Sequence, residues 1–558
     1  MRNILRCIGI VCLISTLAGC FSSTAPEEVV LVDKKEEVPM VVSEQIHELL
    51  RYLTNRDGYL KDSVLLTEYS LMQEFYEKNG YHPIWSEGDH WKPAGDSLFF
   101  MISQARSYGL FPSDYHHPLL LEIRNKIILD SVSRKNAALW ARADLLLTDA
   151  CWKMAHHLKY GHLNRDSITI RKDSAFTDEE KLNLLGSLHR NGQVQTMLNR
   201  LEPKHKGYQE LKKGLAAFLT KANFQPVESI QYPGTDSMAF VQQVGKKLKA
   251  MGFLDSSWVA GDDSLVFAKA VKKYQASKGI ITTGFVAQLT VASLNTTDWD
   301  YFKTIALNLD RYRQLPDTMP ETYLWVNLPA YQLEVMDYDT VALQSKIIIG
   351  TPKTPTPVLN SSITNFITYP QWTVPYSIIF KEMLPKIRKD IQYLAKENLM
   401  VVDRYDSVIA PETIDWNKVN KNSFPYLLRQ RQGDDNSLGV MKFNFRNKYS
   451  VYLHDTNARG LFSRDNRALS HGCVRVQKWE DLSHFLVRNN EIRYHPDTIR
   501  ALIQRQEKKT ISDFPQVPIY IRYITAAGVD GDIRFFPDIY EEDKRLKERY
   551  FASKSNNP

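Results

Sequence analysis

The chain has 558 residues, 43% hydrophobic and 24% charged, long enough for several domains and too apolar for an intrinsically disordered protein. Its formal net charge of +7 is small for this length. No basic cluster is interleaved with aromatics, which argues against a strand-binding nucleic-acid groove.

In chain order, Arg2 and Arg6 precede a short apolar core, Ile8 to Thr16. That core is shorter than the roughly 20 residues a membrane span needs. Leu17-Ala18-Gly19-Cys20 follows and resembles the lipobox of a bacterial lipoprotein signal. The resemblance implies that residues 1–19 are removed and that Cys20 carries lipid. It also implies a membrane-anchored protein facing the periplasm of a Gram-negative-type bacterium. Residues 20–43, rich in Ser, Pro, Val and charge, are expected to form a tether. Only Cys151 and Cys473 then remain, too few for a disulfide scaffold. Cys151 follows an apolar run and reads as an inert core thiol.

Residues 44–225 carry apolar stripes at helical spacing, such as Ile46, Leu49, Leu50 and Leu53. Within them the blocks Phe75 to Trp85 and Tyr108 to Tyr115 resemble the scaffold domain of one large class of L,D-transpeptidases. No catalytic constellation lies there, so its expected role is structural. After a Pro-containing boundary, residues 236–297 predict three helices, with stripes on Val241, Val244 and Leu248, on Phe267, Val271 and Tyr274, and on Leu289 and Leu294. The pattern resembles a peptidoglycan-binding module, although Thr283 stands where that family usually has Asp. Residues 320–540 switch to strand periodicity, interrupted by a charged, largely helical stretch over 378–436 that reads as an inserted lid subdomain. Residues 541–558 read as a charged tail. The expected fold class is multidomain α+β.

The chemistry concentrates in Tyr452-Leu453-His454-Asp455-Thr456 and Ser470-His471-Gly472-Cys473-Val474-Arg475. A thiol attacks as its thiolate, which a neighbouring base favours, and histidine titrates in the right range. Gly472 removes a side chain beside the thiol. The N–H groups of Gly472 and Cys473 are expected to face a developing oxyanion, worth about 3 kcal/mol per donor.

A histidine followed by Ser-His-Gly-Cys resembles the L,D-transpeptidase signature, and blocks at Asn327 to Leu333, Gly350 to Pro357, Trp372 to Ser377 and Arg429 to Gly433 agree with it. Tyr369 is a departure, since Asn is usual before Pro370. The resemblance implies Cys473 as acyl-forming nucleophile and His454 as its base. His471 would orient the thiol or the donor carbonyl. Ser470 and Gly472 would shape the turn and oxyanion hole, and Arg475, Trp372 and Tyr452 would contact substrate. It implies 3→3 peptidoglycan cross-linking from tetrapeptide stem donors, susceptibility to carbapenems, and partners among stem peptides and wall-synthesis proteins. No cofactor is expected. A metal on His454, His471 and Cys473 is not expected either, because catalytic zinc uses well-separated ligands backed by carboxylates. Whether the acceptor is an amine or water is left open by the residues.

Overall fold

A computed structural model of the protein describes residues 26–164, 176–232, 237–278 and 281–554, so the signal segment and Cys20 lie outside the described residues. Among these residues no helix is long and apolar enough to cross a membrane. The described residues form two compact units, one from 26–105, 111–156 and 176–200, the other from 106–110, 157–164 and the described residues after 200.

The first unit is helical: α1 (Val38–Thr54), α2 (Tyr69–Lys78), α3 (Pro93–Ser103), α4 (His117–Leu129), α5 (Ala137–Tyr160), α6 (Asp178–Asn191) and α7 (Val194–Asn199). The expected tether is corrected here. Helix α1 begins at Val38, because Val38, Val42 and Ile46 recur on one face and are buried. The Phe75 to Trp85 block is explained by a buried carboxylate on α5. Asp144 accepts from the Tyr76 hydroxyl (2.5 Å) and from the Ile84 (3.1 Å) and Trp85 (2.9 Å) amides, while the Trp85 indole donates to Thr148 (2.9 Å). Burial pushes the Asp144 carboxyl up to about 6 despite these donors.

The second unit opens with α8 (Lys206–Leu219). It packs on the hairpin formed by Ala526–Val529 and Asp532–Phe535, so tightly that a Cβ on Gly528 would fall 2.1 Å from Glu210 backbone atoms. Helices α9 (Ser237–Ala250), α10 (Ser264–Ser277) and α11 (Gln288–Asn295) enclose a separate small core of Val244, Leu248, Val271, Tyr274 and Leu294. Buried Gln275 holds the turn at Thr283, its carbonyl accepting from the Thr283 and Gly284 amides, both at 2.9 Å. Helix α12 (Asp298–Arg313) then leads to the β-domain.

That domain contains β1 (Thr322–Asn327), β2 (Gln332–Asp337), β3 (Thr340–Gly350), β4 (Leu359–Thr368), β5 (Trp372–Thr373), β6 (Leu399–Val402), β7 (Val408–Ile409), β8 (Leu427–Gln430), β9 (Met441–Phe445), β10 (Leu453–His454), β11 (Ala468–Ser470), β12 (Val474–Val476), β13 (Lys509–Ile511) and β14 (Val517–Arg522). The main sheet runs β9-β10-β12-β3-β2-β1-β14-β4, and β4 pairs back to β9, which closes it like a barrel. Most neighbours are antiparallel; β10–β12 and β1–β14 are parallel. Alternate residues fill the interior, including Met441, Phe443, Leu453, Val474 and Val476, and helices α13 (Trp479–Val487) and α14 (Pro496–Gln504) add to the same core.

The insert is smaller in helix than its composition suggests. It begins at Trp372 and builds its own four-stranded sheet, β5-β8-β6-β7, over a core of Ile379, Leu384, Val401, Trp416, Phe424 and Leu428. Strands of two to four residues are too short to show a period in sequence. Its helical stretch from Tyr376 to Lys389 contains a π-helical turn at Ile379–Met383. The expected charged tail is also corrected: α15 (Glu542–Phe551) docks on α12 through Arg311–Asp543 (2.7 Å) and Lys547–Thr304 (2.5 Å) contacts.

Candidate active site

Cys473 sits in the turn between β11 and β12, which pair with opposite directions to the same strand, β3. The chain must reverse within residues 471–473, and Gly472 does so at φ +117, where a side chain would be strained. A mesh of hydrogen bonds holds the turn. The Ser470 hydroxyl donates to the Cys473 carbonyl (2.6 Å) and accepts from the Gly472 amide (3.1 Å). Thr356 donates to the Gly472 carbonyl (2.8 Å) and accepts from the Gly350 amide (2.9 Å). Gly350 lies so close that a Cβ there would be 3.0 Å from the Gly472 Cα.

Three strands aim their outward residues at this turn. Lys442 on β9 pairs with His454 on β10, and His454 pairs with Arg475 on β12, so His454 is flanked on both sides by cations. Residues two apart on a strand share a face, which places Tyr452 and Cys473 beside that row. Tyr452 stands beside the Cys473 sulfur and favours its thiolate, the thiol donates to the Ser450 carbonyl (3.9 Å), and the Val474 amide donates to the Tyr452 carbonyl (3.1 Å). The Lys442 ammonium lies 4.1 Å from the centre of the Tyr452 ring.

His454 is only 4% exposed, and its Nδ1 lies 2.5 Å from the Asp455 carbonyl. A carbonyl can only accept, so Nδ1 carries the proton and Nε2 is left as the basic nitrogen. Burial first, then Arg475, with Lys442 adding, lowers the imidazole to about 3. Burial raises the Cys473 thiol above its usual value, against Tyr452 and the two cations that favour the thiolate. The resting pair is therefore neutral imidazole and thiol. Asp455 is buried and accepts from the Val440 amide (3.1 Å) and from Arg459 (2.7 Å), which braces the strand end that bears His454.

Two expectations change. The Gly472 amide, expected to face an oxyanion, donates to the Ser470 hydroxyl; the Cys473 amide has no hydrogen-bond partner among the described residues. His471 is half-exposed and bonds Glu382 of the insert's π turn (2.8 Å), rather than the thiol. Trp372 lies on β5 beside Tyr452, which brings the insert's first strand against the site. Cys151 is fully buried on α5, its thiol pushed up to about 12. Sequence reasoning missed Lys442, Thr356 and Glu382. Lys442 alternates with buried Met441 and Phe443, a signal that reads equally as an ordinary solvated strand face.

Residues 70–215 match the Scaffold domain family and residues 321–493 match the L,D-transpeptidase catalytic domain family. A Haemophilus influenzae protein whose name assigns it to the L,D-transpeptidases is 36% identical over 243 residues, 43% of this chain and 48% of that protein. The chain thus spans about half the length of that curated relative. Among solved structures, an Enterococcus faecium L,D-transpeptidase aligns at 13% identity over 41% of this chain and 64% of its own, with a TM-score of 0.18. Mycobacterium tuberculosis L,D-transpeptidase 1 aligns at 14% over 37% and 64%, with a TM-score of 0.14. Matches to the Scaffold domain family and to the L,D-transpeptidase catalytic domain family thus follow one another along this chain.

Proposed function

We propose that the protein is a transferase that cross-links peptidoglycan through an acyl-enzyme on Cys473. The observation that carries this reading is the half-buried thiol held beside Tyr452 and the Lys442–His454–Arg475 row. In the first half-reaction the Cys473 sulfur attacks the carbonyl of the third stem residue of a tetrapeptide donor. His454 Nε2 takes the thiol proton during attack and returns it to the departing D-Ala amine. The Cys473 amide is the donor available to the oxyanion. In the second half-reaction the side-chain amine of another stem attacks the thioester, giving a 3→3 link and restoring the thiol. A carbapenem would be opened by the same thiolate and remain as one adduct on Cys473.

The three-helix module fits a role in holding the enzyme on the polymer, and lipidation of Cys20 would place it at the periplasmic face of a membrane. A disaccharide-tetrapeptide incubated with the full chain should yield free D-Ala and a dimer lacking one D-Ala. Cys473→Ala should lower the rate by more than about a thousandfold, while Cys151→Ala keeps it within about twofold, as losing a nucleophile predicts. Turnover persisting in Cys473→Ala, or a 4→3 dimer from pentapeptide donors, would sink the reading.

A further inference from the structure

Among the described residues neither Lys442 nor Arg475 pairs with a carboxylate. Arg475 makes one long contact to the Thr456 hydroxyl (3.4 Å), and its buried Nε has no partner. Both side chains are partly buried, and burial lowers both. Withdrawing two like charges from water on either side of a histidine is costly unless an anion completes the site. The catalytic step makes this worse, since a protonated His454 would stand between two cations in register.

From the register of these strands, we infer that Lys442, with Arg475, receives the C-terminal carboxylate of the donor's departing D-residue and so determines donor specificity. The inference rests on the transpeptidase reading above. That carboxylate lies one residue beyond the scissile carbonyl, about 3.5 Å along the chain. Neighbouring strands are spaced by about 4.8 Å, so a carbonyl over Cys473 puts the carboxylate within reach of the cations that flank His454. Lys442 is the better placed to select, because its ammonium caps the Tyr452 ring and both groups act on the thiol. The docked anion offsets the two cations, and His454 can then accept the thiol proton. An acceptor stem carries its attacking group as an amine, which this cationic row does not attract.

The test compares two soluble donors with the full chain: a disaccharide-tetrapeptide ending in a free carboxylate and the same donor ending in a primary amide. Release of D-Ala or D-alaninamide gives kcat/KM for each. Wild type should favour the carboxylate donor by at least about tenfold, the low end for a hydrogen bond between charged groups. Lys442→Met should bring that ratio close to one, and Lys442→Arg should restore most of it. Alkylation of Cys473 by the uncharged reagent iodoacetamide, followed across pH 6 to 10, separates an effect on the thiol. A wild-type-like ratio in Lys442→Met, with both donors slowed equally and alkylation slowed with them, would show that Lys442 serves the thiolate and overturn the inference. No release from either donor by wild type would instead remove the transpeptidase reading, and the inference with it.

Discussion

His454 and Cys473 are both pushed toward their neutral forms, and this has a measurable pH signature. With the thiol above its usual value, the thiolate fraction grows about tenfold for each pH unit up to pH 9. Alkylation by iodoacetamide should follow that slope without a plateau, and no inflection should appear between pH 5 and 8, because His454 titrates near 3. A plateau below pH 8 would reveal a preformed thiolate–imidazolium pair and contradict the resting state described above. Gly350 gives a second test. An alanine Cβ there would lie 2.1 Å from the Thr354 carbonyl and 2.8 Å from the Thr356 amide, both backbone atoms that cannot swing away. Gly350→Ala should therefore displace the Thr356–Gly472 brace and lower D-Ala release by about a hundredfold, the scale of a 1 Å misplacement. The Ser-His-Gly-Cys run is legible at this scale because its residue types are rare together. Lys442 is not, because a charge between two apolar residues is what any barrel strand shows on its outer face.

The insert has its own core and meets the Cys473 turn through Glu382, with Trp372 beside Tyr452. On the proposed acyl-enzyme, it is the element that would exclude water from the thioester. Glu382→Ala removes the bond to His471 and should raise hydrolysis relative to transfer. Both partners are about half exposed, so the shift should not exceed about fivefold, the ceiling for a pair worth about 1 kcal/mol. Product analysis by mass spectrometry with and without an added acceptor stem measures the ratio. An unchanged ratio would leave the contact a surface pair without function. The insert's length was readable from the interrupted strand pattern, but its sheet was not, since β5 and β7 have two residues each.

At the scale of the whole molecule, the three-helix module has a core separate from the barrel. A module that tethers an enzyme to a polymer raises effective concentration without touching the chemistry. Deleting residues 230–296 should lower turnover on insoluble peptidoglycan by about a hundredfold, within the usual range for linked binding. Turnover on a soluble disaccharide-tetrapeptide, measured in parallel, should change by less than about twofold. Equal losses on both substrates would give the module a structural role instead.

Periodicity and motif chemistry in the amino-acid order determined the helical first half, the three-helix module and most barrel strands, and singled out Cys473 with His454 as the candidate pair. These features are local: a stripe, an alternation or a four-residue run shows within one segment. Tertiary structure decided what depends on residues distant in sequence. It packed α8 on the hairpin of residues 526–535 and folded the expected tail into α15. It assigned the Gly472 amide to Ser470 and turned His471 toward Glu382. It also flanked His454 with Lys442 and Arg475, since strand register is set by how the closed sheet pairs β9, β10 and β12, which no single strand encodes.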